Sequence, residues 1–422
     1  MPDLKTVLWV TSYFPPVLNV ATIRNVKFLK YLPRFGWKAV VVCPKGTHAN
    51  TPPGEELLSQ LSPSITISAM PQDLFLYLEC HKSTKRIPRY AAYVMNNILP
   101  PDGHIFWSLT ALRHIGREII RNKPDMIYTT CSPFSLNVIG AWLKFKYNIP
   151  WVTDFRDLWL LNPMSRRIFK PYHDFVSRRL EPYFLRYCDA LIVTTEKSKD
   201  RMTAVYSFLK EKTFVIPNGF DQEDIPANNE EELYPNSFFY SGTISEKTDY
   251  TPAPILKLLS RLVNDVFFEA PWQLHYAGND GEAFVNLVRQ ERISAECKDY
   301  GFLDPQGLYR LIHRMAYVML CMPRDADTMS WVPARLYDYI GNNCRLICLT
   351  SRESELARLI EPYENVITLF YDEPDDIQVH KLQAFLAAHK NDSTASKKFI
   401  ERFSRKNLTM QLSKIFQHII NS

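Results

Sequence analysis

SWVPARLYDYIGNNCRLICL, residues Ser330–Leu349, reads as a helix start, a short helix, a turn and a buried strand. Ser330 has the chemistry to cap the first free amide groups. Pro333 suits a first helical turn, where a missing N–H costs little. Leu336 and Ile340, four apart, share a core-facing side, and Arg335 and Asp338, three apart, share another. Gly341-Asn342-Asn343 can end the helix because Gly and Asn tolerate positive φ. Leu346-Ile347-Cys348-Leu349 is apolar throughout, as an interior strand is. A helix start placed before a sheet favours an anion, through its unpaired N–H groups and its dipole. The same spacing also suits one ordinary βαβ unit of an α/β core, so this stretch fixes the fold class more firmly than it fixes a site.

Outward from that stretch the same alternation recurs. Upstream lie strands at Ser237–Ser241, Trp272–Ala277 and Ala316–Met322, and a short one at Asp299–Leu303. Helices at Pro254–Val263 and Gln306–Arg314 separate them. Downstream come helix Ser354–Ile360, strand Val366–Phe370, helix Asp375–His389 and a last helix at Ala395–Ile420. Two turns follow strands directly: Ser241-Gly242-Thr243, with Lys247 just beyond, and Gly278-Asn279-Asp280-Gly281. A small glycine-containing turn lets backbone amides approach a phosphate, and a lysine adds a point charge.

The first half repeats the pattern. Lys5–Ser12 is a buried strand ending in Tyr13-Phe14-Pro15-Pro16. Helix Ala21–Leu32 and strand Lys38–Cys43 complete a βαβ opening of Rossmann type. The GxGxxG turn is missing, which argues against a nicotinamide dinucleotide there. Further strands fall at Ile65–Met70, Pro124–Thr130, Pro150–Thr153, Ala190–Thr194 and Thr213–Ile216, with helices at Ser135–Tyr147 and Glu196–Phe208. Residues 74–107 are the least regular part, mixing aromatics with Lys82, Lys85, Arg86 and Arg89; they suit a membrane interface or an acceptor groove, or else a loosely packed helical insertion. Asp154-Phe155-Arg156-Asp157 follows the Pro150–Thr153 strand, where doubly wound sheets place ligands. It reads either as an active-site lip or as an ion-paired loop. Ser165–Tyr187 is a long basic stretch, kinked or split at Pro171 and Pro182, which suits either an anionic membrane surface or core packing with solvated arginines.

At 422 residues the chain has room for two α/β domains. Residues 1–210 hold 28 Lys and Arg against 15 Asp and Glu, a surplus of 13. The remaining residues hold 22 against 30. A basic first half implies an anionic partner, such as a phospholipid surface or a phosphate-linked acceptor, or else a self-solvated face. No nucleic-acid-binding module is recognisable. The eight cysteines form no CxxC pair, which disfavours a metal site and points to a reducing compartment. Met1 leads through Pro-Asp-Leu-Lys into the first strand, which reads as a chain without a secretory leader. No apolar run reaches the ~18 residues needed to span a bilayer. The expected location is cytoplasmic, peripheral on the inner face of the membrane.

The ordered motifs SYFPP (Ser12–Pro16), TDFRDLW (Thr153–Trp159), VIPNGFD (Val215–Asp221), YSGTISEK (Tyr240–Lys247) and VPARLYDYI (Val332–Ile340) resemble those of glycosyltransferase family 4. Members of that family are retaining, nucleotide-sugar-dependent enzymes. The resemblance implies a GT-B fold: an α/β chain of two Rossmann-like domains whose parallel sheets face each other across a cleft. Residues 1–216 would form the acceptor-side domain, 217–235 the hinge and 236–394 the nucleotide-sugar domain. Residues 395–422 would form a helix crossing back to the first domain.

By the same resemblance Ser241, Gly242, Thr243 and Lys247 face the donor diphosphate, with the Ser330–Val332 amides, Trp331 among them. Arg335 stands where relatives often carry Lys, and Arg324 is a further candidate. Two glutamates seven residues apart are common in the family; here those positions hold Ser330 and Asp338, so the usual donor-sugar contact is altered. Lys247, Arg335, Asp154 and Arg156 are the residues expected to carry catalysis. Phe14, Pro15, Pro16, Asp102 and Asp157 would line the acceptor side. No metal and no cofactor are expected beyond the nucleotide sugar as co-substrate, in a hexosyl transfer to a glycan or lipid-linked acceptor. A sugar-nucleotide epimerase on the same fold, or a catalytically degenerate scaffold subunit, are the competing readings.

Overall fold

The computed structural model describes residues 4–46, 54–81, 86–162, 169–225, 233–245, 250–263, 271–390 and 393–422. The chain forms two compact units, Met1–Asn218 with Arg405–Ser422, and Gly219–Ser404.

The first unit is built on seven parallel strands: β1 (Lys5–Val10), β2 (Trp37–Pro44), β3 (Ile65–Met70), β4 (Met126–Cys131), β5 (Trp151–Phe155), β6 (Ala190–Val193) and β7 (Thr213–Val215). Their order is β3-β2-β1-β4-β5-β6-β7, all parallel. A parallel sheet is covered on both faces, so its central strands are apolar on both sides. Every residue of β4, β5 and β6 is buried accordingly. Helix α1 (Val20–Tyr31) begins where Asn19 accepts the Thr22 N–H.

The described residues of the 74–107 stretch are largely helical, as the insertion alternative has it. It holds α2 (Leu74–His81) and α3 (Arg86–Ile98), and its end enters α4 (Ile105–Asn122). Helix α4 turns Trp107, Ala111, Ile115 and Ile119 to the core at four-residue spacing. Helices α5 (Leu136–Tyr147), α6 (Lys170–Tyr187) and α7 (Glu196–Val205) complete the layers. Pro171 falls in the first turn of α6 and Pro182 lies inside it, yet the helix runs unbroken to Tyr187.

The second unit has six strands: β8 (Tyr234–Ser241), β9 (Trp272–Ala277), β10 (Ala295–Asp299), β11 (Met315–Cys321), β12 (Leu346–Thr350) and β13 (Val366–Phe370). Their order is β10-β9-β8-β11-β12-β13, again all parallel. Strand β10 precedes the stretch read as strand, and residues 300–304 form the loop after it. The helices are α8 (Ala253–Val263), α9 (Gly281–Gln290), α10 (Pro305–Arg314), α11 (Arg335–Gly341), α12 (Glu355–Ile360), α13 (Asp375–Ala387) and α14 (Thr394–Glu401). Asp304 caps α10 and Ser354 caps α12 through N–H groups three residues on.

The last helix is two helices. After α14 the chain bends at 402–404, and α15 (Arg405–Asn421) joins the first unit. There Leu408, Leu412 and Phe416 enter the core beside Trp37 and Tyr128, whose rings lie 5.2 and 5.7 Å from that of Phe416. Each such burial stabilises by roughly 1.5–3 kcal/mol. The bend serves the second unit. The Phe403 carbonyl accepts the Phe220 N–H at 3.1 Å, and Phe220 and Ser404 form a parallel bridge. Phe220 is buried under Gly341, where a Cβ would overlap its ring.

Candidate functional site

The helix in the opening stretch starts later than its sequence suggests. Helix α11 begins at Arg335; Ala334 precedes it without a side-chain cap. Ser330 ends a 3-10 turn, Ala326–Ser330, and is buried. The predicted Ser330 cap is therefore absent, because the chain uses 331–334 to reach the helix. At seven residues α11 is also too short for its dipole to matter much. What it delivers is a side chain. Arg335 reaches the carboxyl end of β8, where Nη1 donates to the Ser241 carbonyl and Nη2 to the Tyr240 hydroxyl at 3.4 Å. Its guanidinium lies 4.9 Å from the Tyr240 ring centroid.

Gly242 makes this approach possible. Its φ is +109°, and a Cβ there would overlap Arg335 Nη1. The glycine turn is tied to the next loop by three bonds. Tyr276 Oη donates to the Gly242 carbonyl at 2.7 Å and accepts the Asp280 N–H at 3.0 Å. The Asp280 carboxylate accepts the Ile244 N–H at 2.9 Å. Burial pushes the Tyr276 hydroxyl up to about 12, so it stays a donor. Arg335 forms no ion pair with a described carboxylate, and its Nε has no partner among the described residues. A cation held by a carbonyl and a phenol keeps its charge available for an anion.

The other donor-side candidates are placed less uniformly. The Ser241 hydroxyl lies 2.9 Å from the Tyr339 hydroxyl in the buried interior, so it supports the turn from beneath and does not face a ligand at the loop. Thr243 is exposed, and its carbonyl accepts the Tyr240 hydroxyl at 3.4 Å. Arg324 is exposed and lies 4.6 Å from the Tyr371 ring centroid. Trp331 packs half-buried against the core. Asp338 accepts the Tyr309 hydroxyl at 2.7 Å, which fixes one carboxylate oxygen. Lys247 lies outside the described residues.

In the first unit Asp154 falls inside β5, not beyond it, and its role changes accordingly. Its carboxylate meets Arg24 Nε at 2.9 Å and Nη2 at 3.3 Å, and accepts the Tyr128 hydroxyl at 2.7 Å. Arg24 also donates to the carbonyls of Ile216 and Pro217, at 3.0 and 2.8 Å. Asp154 is thus a buried anchor, a role that removes it from the surface where an acceptor would sit. Asp102 is likewise structural. Its Oδ2 accepts the Phe134 and Ser135 N–H groups at 2.6 and 3.2 Å, at the start of α5. The Phe14 ring belongs to the core, Pro15 is buried and Pro16 half-buried.

Arg156 and Asp157 remain at the edge. Arg156 donates through Nη2 to the Ser132 carbonyl and lies 5.6 Å from the Tyr13 ring centroid. Its Nε has no partner among the described residues, and Asp157 is exposed. Tyr13 and His104, whose rings are 6.2 Å apart, join this edge without having been singled out in the sequence. Tyr13 was legible as the first aromatic after β1; nothing local marks His104. Among the described residues no group of three or more His, Cys, Asp or Glu could hold a metal ion.

Residues 23–224 match the family model described as Glycosyltransferase Family 4, just under half of the chain. Over those residues the chain resembles that family, and its fold is GT-B. This fold is shared over the whole length of the chain by solved structures of low identity. One is the sucrose-phosphate synthase of Thermosynechococcus elongatus, at 12% identity and TM-score 0.64, with 99% of each chain covered. A glycosyltransferase from Rickettsia africae ESF-5 has 13% identity and TM-score 0.62, with 100% of each covered. A Listeria monocytogenes protein assigned as a UDP-N-acetylglucosamine 2-epimerase has 11% identity and TM-score 0.57, with 99% of this chain and 98% of that one covered. No curated protein sequence matches the chain. At these identities the structures speak for the fold alone.

Proposed function

We propose that the chain moves a hexose, with retention of configuration, from a nucleotide sugar to a glycan or lipid-linked acceptor, in the synthesis of a surface polysaccharide or glycolipid. The observation that carries this reading is Arg335, a cation held by neutral acceptors beside the Gly242 turn at the carboxyl end of β8. Breaking a sugar–phosphate bond leaves negative charge on the diphosphate. A fixed cation aimed at that charge lowers the barrier without reorganisation. Lys247 is the second cation of the proposal, and Arg324 the third. Asp338, held by Tyr309, takes the ribose hydroxyls, and Arg156 with Tyr13 meets the acceptor. The nucleotide sugar enters as co-substrate, with no resident metal or cofactor in the scheme. We place the reaction on the cytoplasmic side, where an anionic membrane surface presents the acceptor.

Titration calorimetry with a panel of nucleotide sugars tests the reading. One donor should bind saturably, and Arg335→Ala should weaken it at least tenfold with unchanged unfolding temperature. Absence of binding across the panel, or an Arg335→Ala variant that binds as the wild type, overturns it. An epimerase reading is supported by the shared fold of the Listeria protein. It requires donor conversion without acceptor, so product formed only when acceptor is present excludes it. A scaffold reading is motivated by Ser330 in place of the family's first glutamate. Turnover by the isolated chain excludes that one.

A further inference from the structure

The strand order β3-β2-β1-β4-β5-β6-β7 reverses direction between β1 and β4. From β1 the chain steps outward to β2, and from β4 it steps the other way to β5. Open parallel sheets take ligands outside the carboxyl ends of their strands at such a reversal. The register fixes which residues stand there. Val10 pairs with Thr129, and Cys131 with Phe155. Carried outward, the same register sets Tyr13, Ser132 and Arg156 in one row. Arg156 ties the row together. Its N–H donates to the Cys131 carbonyl at 2.9 Å and its Nη2 to the Ser132 carbonyl, and its guanidinium lies 5.6 Å from the Tyr13 ring centroid.

Among the described residues nothing anionic answers Arg156. It forms no ion pair with them, and its buried Nε has no partner. Asp102, the buried carboxylate of this region, is taken up elsewhere: it accepts the N–H groups of His104, Phe134 and Ser135 at 3.2, 2.6 and 3.2 Å. Two hydroxyls stand next to the row in the chain. Ser12 precedes Tyr13, and Ser135 closes the turn after β4. Their residues are 6 and 0% exposed, and neither Oγ has a partner among the described residues. Buried polar groups are normally paired, so these orphans call for a shared acceptor.

We infer that Arg156, Tyr13, Ser12 and Ser135 form an anion subsite that takes a phosphate group carried by the acceptor. A guanidinium matches phosphate as a planar fork, and charge-assisted bonds of this kind are stronger than bonds to a neutral sugar hydroxyl. The Tyr13 ring holds the guanidinium by its face. A carboxylate would fill the fork and have no oxygen left, whereas a phosphate has further oxygens for the two serine hydroxyls. The surplus of 13 basic residues in 1–210 adds attraction at longer range. The link to the acceptor rests on the transferase reading above; the anion subsite stands without it.

Titration calorimetry of the full chain with inorganic phosphate tests it, in an Arg335→Ala background so that the second unit's cation does not contribute. Binding should be saturable, and glucose at the same concentration should not bind. Adding Arg156→Gln should weaken phosphate at least about tenfold at an unchanged unfolding temperature, and Ser12→Ala about threefold. Arg156→Lys should keep part of the affinity. Absence of saturable phosphate binding, or an Arg156→Gln chain that binds as its parent does, overturns the inference. Turnover by the wild type then separates the sources of the phosphate, with glucose 6-phosphate, a short-chain prenyl diphosphate sugar and an unphosphorylated oligosaccharide as the three arms. A preference for either phosphorylated acceptor that Arg156→Gln abolishes supports the assignment, and equal use of the neutral one overturns it. A chain that binds a nucleotide sugar but no phosphate loses this inference and keeps the proposed function. A chain that binds phosphate through Arg156 but no nucleotide sugar keeps the subsite and loses the proposed function.

Discussion

Arg24 and Asp154 form a fully buried ion pair, Nε to Oδ2 at 2.9 Å, with both side chains about 1% exposed. They lie 130 positions apart in the chain, on α1 and β5. The pair also receives the Tyr128 hydroxyl and, through Arg24, the backbone of Ile216 and Pro217. It therefore holds the end of the first unit's sheet to the last residues before the chain leaves that unit.

Removing one partner leaves the other charged and unpaired in the core. Arg24→Met or Asp154→Asn should each cost roughly 3–5 kcal/mol, larger than the pair's own net contribution. Urea unfolding followed by the fluorescence of Trp9 and Trp151, both buried in the first unit, reads the loss. A change under about 1 kcal/mol would contradict the buried geometry.

Gly341 illustrates a helix glycine kept for space and not for flexibility. In an open helix Gly→Ala gains about 1 kcal/mol. Here the added methyl would overlap the buried Phe220 ring, so Gly341→Ala should lose roughly 1–3 kcal/mol instead. Phe220→Leu in the same chain should restore part of it. The sign of the single change, measured by denaturant titration, decides the matter.

Gly242→Ala should act on binding as well as on stability. The residue would be strained at φ +109°, and its methyl would displace Arg335. Arg335→Lys keeps the charge but loses the two-pronged hold on Ser241 and Tyr240. Both should lower kcat/KM by about 10²–10³, the scale for losing one fixed donor at developing charge. Steady-state kinetics with the donor found by calorimetry checks this. Equal turnover in Arg335→Lys would show that charge alone suffices.

Glu181 gives the first unit a pH dependence. Burial raises its carboxyl from 4.5 to about 7, against the opposing pull of the Tyr206 hydroxyl and the Leu160 N–H. The folded state then holds a proton that the unfolded state has lost between those values. Stability should fall as pH rises through that window, by at most about 1.4 kcal/mol per unit, and level off above pH 7. Glu181→Gln mimics the protonated form and should flatten the slope. Thermal melts from pH 4.5 to 8 on both chains compare the two, and identical slopes would place the proton elsewhere.

The strands were legible because a two-sided sheet demands apolar runs. Trp272–Ala277, Ile65–Met70 and Val366–Phe370 fall where the sequence places them. Helix α4 was hidden because its core residues, Trp107 to Ile119, are interleaved with Arg113, Arg117 and Arg121 and follow an aromatic-rich stretch. The bend at 402–404 left no local mark, since Phe399, Phe403 and Leu408 continue a helical stripe. Only the pairing of Phe220 with Phe403 and Ser404 breaks it. In the candidate site the glycine turn and Arg335 could be read from their types and places. The burial of Asp154 could not, because its partner Arg24 lies on a helix whose sequence gives no sign that an arginine faces inward.

The way α15 completes the first unit limits how the protein can be cut. An expression fragment ending at Asn218 would lack Leu408, Leu412 and Phe416 and would leave Trp37 and Tyr128 with a bare apolar groove. Such a fragment should be insoluble unless residues 405–422 are grafted back through a designed linker. The second unit, Gly219–Ser404, is contiguous and can be excised with two ordinary primers.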